Sequence, residues 1–159
     1  MLASTPAGAG GGLKVKVRAT FTGTGSFSGC NSDLGVFVTD DGSLDGPHLR
    51  DATLHFDFCY PDTRVGVLPV SGTFALGLRH GMVTGLFDGQ SQSFPATPCG
   101  YPFTFSLTIT AGTDRYASAS GVLSFSGCLS TSVATATGTL MGTLRAEGLV
   151  GAAGVGAGA

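Results

Sequence analysis

The sequence predicts an all-β protein, a single antiparallel barrel of roughly eight strands with flexible Gly/Ala-rich tails. Three observations predict it. Apolar and polar residues alternate with a period of two along much of the chain, which sends apolar side chains to one face of an extended backbone. Helical periodicity is nearly absent. Turn formers recur between the alternating runs, and 27 glycines in 159 residues suit sharply coiled strands and tight corners better than a flat sheet.

Taken in order, residues 1–12 form an Ala/Gly-rich tail without the basic and apolar stretches of a signal peptide. It reads as the linker left once a signal has been removed, or simply as a chain start. The barrel domain is expected over residues 13–147. Leu13, Val15, Val17, Ala19 and Phe21 alternate with Lys14, Lys16, Arg18 and Thr20, the pattern of a strand with one buried and one wet face. Leu34 to Thr39 reads as a second strand, closed by the turn Asp40-Asp41-Gly42. Ala52, Leu54, Phe56 and Phe58 alternate with Thr53, His55 and Asp57 in a third. Val70–Leu78 and Met82–Phe87 form a hairpin across Arg79-His80-Gly81. Phe103, Phe105, Leu107 and Ile109 put four large residues on one face of the next strand, and Val122–Ser126 and Val133–Leu144 supply the last two. Residues 148–159, almost all Gly, Ala and Val, form the second tail. Alternation over so many strands leaves a closed barrel or a two-sheet sandwich.

The corner Ile109-Thr-Ala-Gly-Thr-Asp-Arg-Tyr-Ala-Ser-Ala-Ser-Gly121 decides between them. Gly112 and Asp114 tolerate the positive φ of a corner, Arg115 and Tyr116 supply a cation and an aromatic plug, and Ala117 to Gly121 permit close backbone approach. The segment resembles, at the same length, the Ile-Thr-Gly-Gly-Thr-Gly-Arg-Phe-Ala-Gly-Ala-Thr-Gly corner of the allene oxide cyclase-like and dirigent-like β-barrels, departing from it at Ala111, Asp114, Tyr116, Ser118 and Ser120. Ser71-Gly-Thr-Phe, Gly81-Met-Val-Thr-Gly-Leu-Phe-Asp-Gly89 and Ala136-Thr-Gly-Thr-Leu are similar to strand motifs of secreted bacterial members of that group, whose function is unknown. The resemblance implies a barrel. It also implies, for the plant members, a cofactor-free cyclase or coupling-guiding pocket, but only the corner aligns residue by residue, so no catalytic residue carries over.

Composition narrows the function classes. With 8 basic and 10 acidic residues and a net charge of −2, the charge balance argues against a nucleic-acid binder, which wants a basic stripe for phosphates. No apolar run approaches the roughly 20 residues of a spanning helix. No phosphate loop, dinucleotide fingerprint or Gly-x-Ser-x-Gly elbow occurs, since the centre of Gly25-Ser-Phe-Ser-Gly29 is Phe27. No cofactor and no metal are expected, and the three histidines lie at no ligand spacing.

Four cysteines remain. Cys30 and Cys128 each end the pentapeptide Ser-Phe-Ser-Gly-Cys, and Cys59 and Cys99 each stand beside a Tyr-Pro pair. Of the three pairings four cysteines allow, the shared contexts favour Cys30–Cys128 and Cys59–Cys99, which implies an oxidising, extracellular location. His55 and Asp57, two apart on a strand, share a face with Cys59 and line either the outside or the lumen. Tyr60, Arg64, Tyr101 and Arg115, with Tyr116, are candidates to line a barrel mouth, where they would polarise a carbonyl, hold an anion or simply cap the barrel. The reading is a secreted or cell-surface, disulfide-stapled, non-catalytic module. Its partner would be a small hydrophobic ligand or an extracellular surface or polysaccharide. The alternatives are a lumen cyclase or isomerase and a self-assembling homo-oligomer joined through its tails.

Overall fold

The computed structural model describes residues 13–29, 35–46, 49, 51–61, 66–92, 101–130 and 135–146. Both predicted tails lie outside these residues. Eight strands follow one another around a closed antiparallel barrel, each paired with its sequence neighbours and the last with the first. They are β1 (Leu13–Gly29), β2 (Gly35–Asp45), β3 (Ala52–Pro61), β4 (Val67–Leu78), β5 (Gly81–Gln92), β6 (Tyr101–Gly112), β7 (Ser120–Ser130) and β8 (Thr135–Ala146). Among the described residues the one helical element is a single 3-10 turn, Asp114–Tyr116.

The alternation read from the sequence sets the faces. Val17, Ala19 and Phe21 on β1, Leu54, Phe56 and Phe58 on β3, and Phe103, Phe105, Leu107 and Ile109 on β6 all point inward and are buried. The strands β4, β5 and β7 extend beyond their predicted bounds, β8 runs on to Ala146, and the predicted starts Leu34 and Val133 lie outside the described residues. The largest difference is in β2. Asp40-Asp41-Gly42 is no turn, because β2 runs through it to Asp45, with Asp41 opposite His55 and Gly42 opposite Leu54. The pairing with β1 on one side and β3 on the other outweighs the local turn preference of Asp-Asp-Gly.

An eight-stranded barrel has an interior just wide enough for side chains to fill. Here eight phenylalanines do so: Phe21, Phe56, Phe58, Phe74, Phe87, Phe103, Phe105 and Phe125. Phe56 stacks on Phe125 with ring centroids 5.1 Å apart and takes the edge of Phe87 at 5.2 Å. Phe21 meets Phe125 edge-on at 5.2 Å, and Phe103 stacks on Phe105 at 4.9 Å. Leu54, Leu76, Leu107, Leu123 and Leu140 fill the space between rings. Glycines supply the remaining room, since a side chain at Gly23 or Gly42 would collide with the ring of Phe21. Ser91 is the only buried polar residue among those described.

The corner between β6 and β7 closes one end. Asp114 adopts φ 51°, and the turn is tied by Tyr116 N–H to the Thr113 carbonyl at 2.8 Å and Ala119 N–H to the Tyr116 carbonyl at 2.8 Å. Thr113 N–H also donates to the Met82 carbonyl at 2.9 Å, anchoring the corner to β5. A β-carbon at Gly112 would strike the Tyr116 carbonyl, so glycine is required there by close approach rather than by φ. The Tyr116 ring is buried with the core, as the plug reading expects.

Removing a ring from this interior leaves a cavity. Phe56→Ala, which empties contacts with Phe87, Phe105 and Phe125, is expected to cost about 3–5 kcal/mol of unfolding free energy in urea titration. The outward Thr108→Ala is expected to stay within about 0.5 kcal/mol. Equal, small losses for both would show that the rings do not pack as described.

Candidate functional site

With Leu54, Phe56 and Phe58 turned inward, the intervening His55 and Asp57 face outward. They stand on the outer wall and not in the lumen, because the period of two leaves a strand only one inward face and the aromatic residues hold it. His55 is half-buried and bound on both ring nitrogens, Nδ1 to Asp41 Oδ1 at 2.6 Å and Nε2 to Asp57 Oδ2 at 2.8 Å. Asp41 arrives from β2 as the direct cross-strand neighbour of His55, while Asp57 is two residues further along β3.

A neutral imidazole donates through one nitrogen, whereas the imidazolium donates through both and suits two carboxylates. Burial is the largest single influence on His55 and pulls its pKa down, but the hydrogen bonds and negative charges of Asp41 and Asp57 together outweigh it. The net direction is upward from the ordinary histidine value. The triplet ties β2 to β3, and the upward shift favours the protonated ring that can donate to both acids. With both nitrogens engaged it is no ready metal site, and among the described residues no group of three His, Cys, Asp or Glu is arranged to hold a metal ion.

The predicted mouth cluster is divided between the two ends. Tyr101 opens β6 opposite Leu129, whereas Arg115 and Tyr116 follow the far end of the same strand. Twelve strand residues separate the two ends, about 36 Å of extended chain, so these side chains cannot line one mouth. Tyr101 is half-buried, Arg115 exposed and Tyr116 buried. Tyr60 lies on β3 toward the Tyr101 end, and Arg64 lies outside the described residues. Cys59 and Cys128 also stand toward the Tyr101 end, and no cysteine among the described residues is free. Cys30 and Cys99, on which the predicted pairing depends, lie outside the described residues.

Asp41 is the member of the triplet that the sequence reading missed. The signal was present in Asp41, Ser43 and Asp45 alternating with Gly42 and Leu44, but the turn residues masked it. Among the described residues no helix is long and apolar enough to cross a membrane. No protein-family model, curated protein or solved structure matches this chain.

The His55 bridge makes a pH prediction with a definite sign. A histidine whose pKa is higher in the folded than in the unfolded state contributes stability that is full below the unfolded value and fades as pH rises through the folded one. In an NMR titration the His55 ring should therefore show a midpoint above the ordinary histidine value. Asp41→Asn should lower that midpoint, and His55→Gln should remove a decline in stability between mildly acidic and mildly alkaline pH. A midpoint unmoved by Asp41→Asn would show that the bridge does not form in solution.

Proposed function

We propose that this chain is a secreted, disulfide-stabilised, non-catalytic module that works at an extracellular surface or matrix through the outside of its barrel. The observation that carries the reading is the interior. Eight buried phenylalanines and five fully enclosed leucines occupy the space where a lumen substrate would sit, and Ser91 is the only buried polar residue among those described. The tied corner with its buried Tyr116 supports kinship with the allene oxide cyclase-like and dirigent-like barrels as a shared architecture without the lumen chemistry.

The test is ligand-dependent thermal stabilisation across a panel of fatty acids, fatty-acid epoxides and small phenols. No saturable one-to-one shift is expected. A saturable shift that Phe56→Ala or Phe125→Ala alters would replace this reading with the lumen cyclase.

Disulfides belong to the same proposal, and the strand register supports a pairing other than the one the pentapeptides suggested. Cys128 stands opposite Pro102, and Cys99 precedes Pro102 by three residues. Cys59 stands opposite Phe37, itself opposite Ser28, and Cys30 follows Ser28 by two residues. A Cys30–Cys128 bridge has a harder route. Cys128 faces Thr137 and Thr137 faces Thr22, whereas Cys30 follows Gly29, the last residue of β1; the stretch of β1 from Thr22 to Gly29 alone spans about 23 Å against a bridged Cα separation of at most about 7 Å. We therefore pair Cys30 with Cys59 and Cys99 with Cys128. Trypsin digestion without reduction should link peptide 19–50 to 51–64 and peptide 80–115 to 116–145. Linkage of 19–50 to 116–145 would restore the original pairing, and four free thiols would remove the extracellular argument.

A further inference from the structure

Resting on the reading that the outer wall is the working surface, we infer that the outer face of β1 and β8 is a binding track for an acidic polysaccharide. The two strands pair in register over their outward residues as Lys14–Arg145, Lys16–Thr143, Arg18–Met141, Thr20–Thr139, Thr22–Thr137 and Thr24–Thr135. All six β1 members are exposed, and those of β8 are exposed or half-buried. Four of the eight Lys and Arg residues of the chain thus stand together on one face. Neither strand contains an acidic residue. Among the described residues the recorded ion pairs are those of His55, and none involves these cations.

The arrangement opposes folding on its own. Like charges directly opposite on neighbouring strands repel, and Lys14 faces Arg145 with Lys16 one pleat away. A binding partner of opposite charge relieves that repulsion. The low net charge of −2 hides this local concentration. The nearest described acids, Asp45 and Asp41 on β2, stand opposite Thr20 and Thr24, so the charged groups of the polymer belong over the cationic half of the track and its hydroxyls over the threonine half.

The shape and chemistry of the track select the polymer. Outward residues recur every second position, about 6.6 Å apart, so Lys14 to Thr24 spans about 33 Å in a line. The cations occupy one half of this line, and paired threonines occupy the other. A hydroxyl both donates and accepts, so the threonine half suits a polymer carrying hydroxyls between its carboxylates or sulfates. Single-stranded nucleic acid draws much of its affinity from bases stacked on aromatic side chains. Among the residues whose burial is described, the exposed large apolar ones are Val67, Met82, Leu86, Val122 and Met141, with no aromatic among them.

The test is equilibrium binding of the full, oxidised chain to polygalacturonate and to dextran sulfate at low ionic strength, where exposed charges act at full range. Poly(dT) and phosphatidylserine vesicles serve as comparators. Both polysaccharides should bind with affinity that falls steeply with salt, and Lys16→Gln/Arg18→Gln should weaken binding at least tenfold. Arg79→Gln/Arg115→Gln removes the same two charges from exposed positions off the track and should change affinity less than twofold. Thr22→Val/Thr137→Val should weaken polysaccharide binding several-fold at unchanged charge. None of the three variants should lower the thermal midpoint of the parent, and Lys16→Gln/Arg18→Gln, which relieves the repulsion, should if anything raise it. Equal losses from both charge pairs would overturn the inference in favour of a net-charge effect, and tighter binding to vesicles or poly(dT) would overturn the choice of partner. Absence of polysaccharide binding would also overturn it, while an unresponsive lumen in the thermal panel would leave the outer-wall reading standing.

Discussion

Mutual packing of the phenylalanine rings is the constraint from which the rest of this structure follows. A closed eight-stranded sheet has an inner surface that must be filled or hydrated, and here it is filled by rings in edge-on and stacked contact, Phe56 at the centre with Phe87, Phe105 and Phe125 around it. Each fully buried ring contributes about 1.5–3 kcal/mol by leaving water. The aromatic geometry adds to that and fixes how the strands sit relative to one another. The glycines at 23 and 42 are the counterpart of this packing, because the Phe21 ring lies where their side chains would be.

Once the interior is committed to apolar packing, polar chemistry is confined to the outside. The alternation that sends Leu54, Phe56 and Phe58 inward sends His55 and Asp57 outward. The wall then acquires a polarity of its own. Acids and a bridging histidine gather on β2 and β3, and cations gather on β1 and β8. Hydroxyls line the wall on the other side of the cations, as in the row Thr104, Ser126, Thr139 and Thr20 across β6, β7, β8 and β1, which meets the acids where Thr20 stands opposite Asp45. Such a surface is suited to contact with an extended, hydroxyl-bearing partner rather than to enclosing a small one.

Much of the fold was legible because the side-chain period of a strand is two and cannot be disguised where one face is buried. The β1, β3 and β6 faces follow directly from Val17-Ala19-Phe21, Leu54-Phe56-Phe58 and Phe103-Phe105-Leu107. Legibility failed where local and long-range preferences disagree. Asp40-Asp41-Gly42 carries strong turn chemistry, yet strands on both sides hold it extended, and pairing across 14 residues to His55 is invisible to any local window. The mouth cluster failed for a related reason, since residues alike in type, Tyr101 and Tyr116, sit at opposite ends of one strand and its corner. Arg145 joins Lys14 only through the closure of β8 onto β1, a contact that no sequence spacing announces.

The measurement that bears most directly on the filled interior is xenon binding in pressurised crystals of the parent and of Phe125→Ala. Apolar cavities of suitable size take up xenon, and packed interiors do not. The packing described here predicts no xenon inside the parent barrel and one site in the variant, at the place vacated between Phe21, Phe56 and Phe103. Xenon inside the parent barrel would contradict the account and return the lumen to consideration as a functional site.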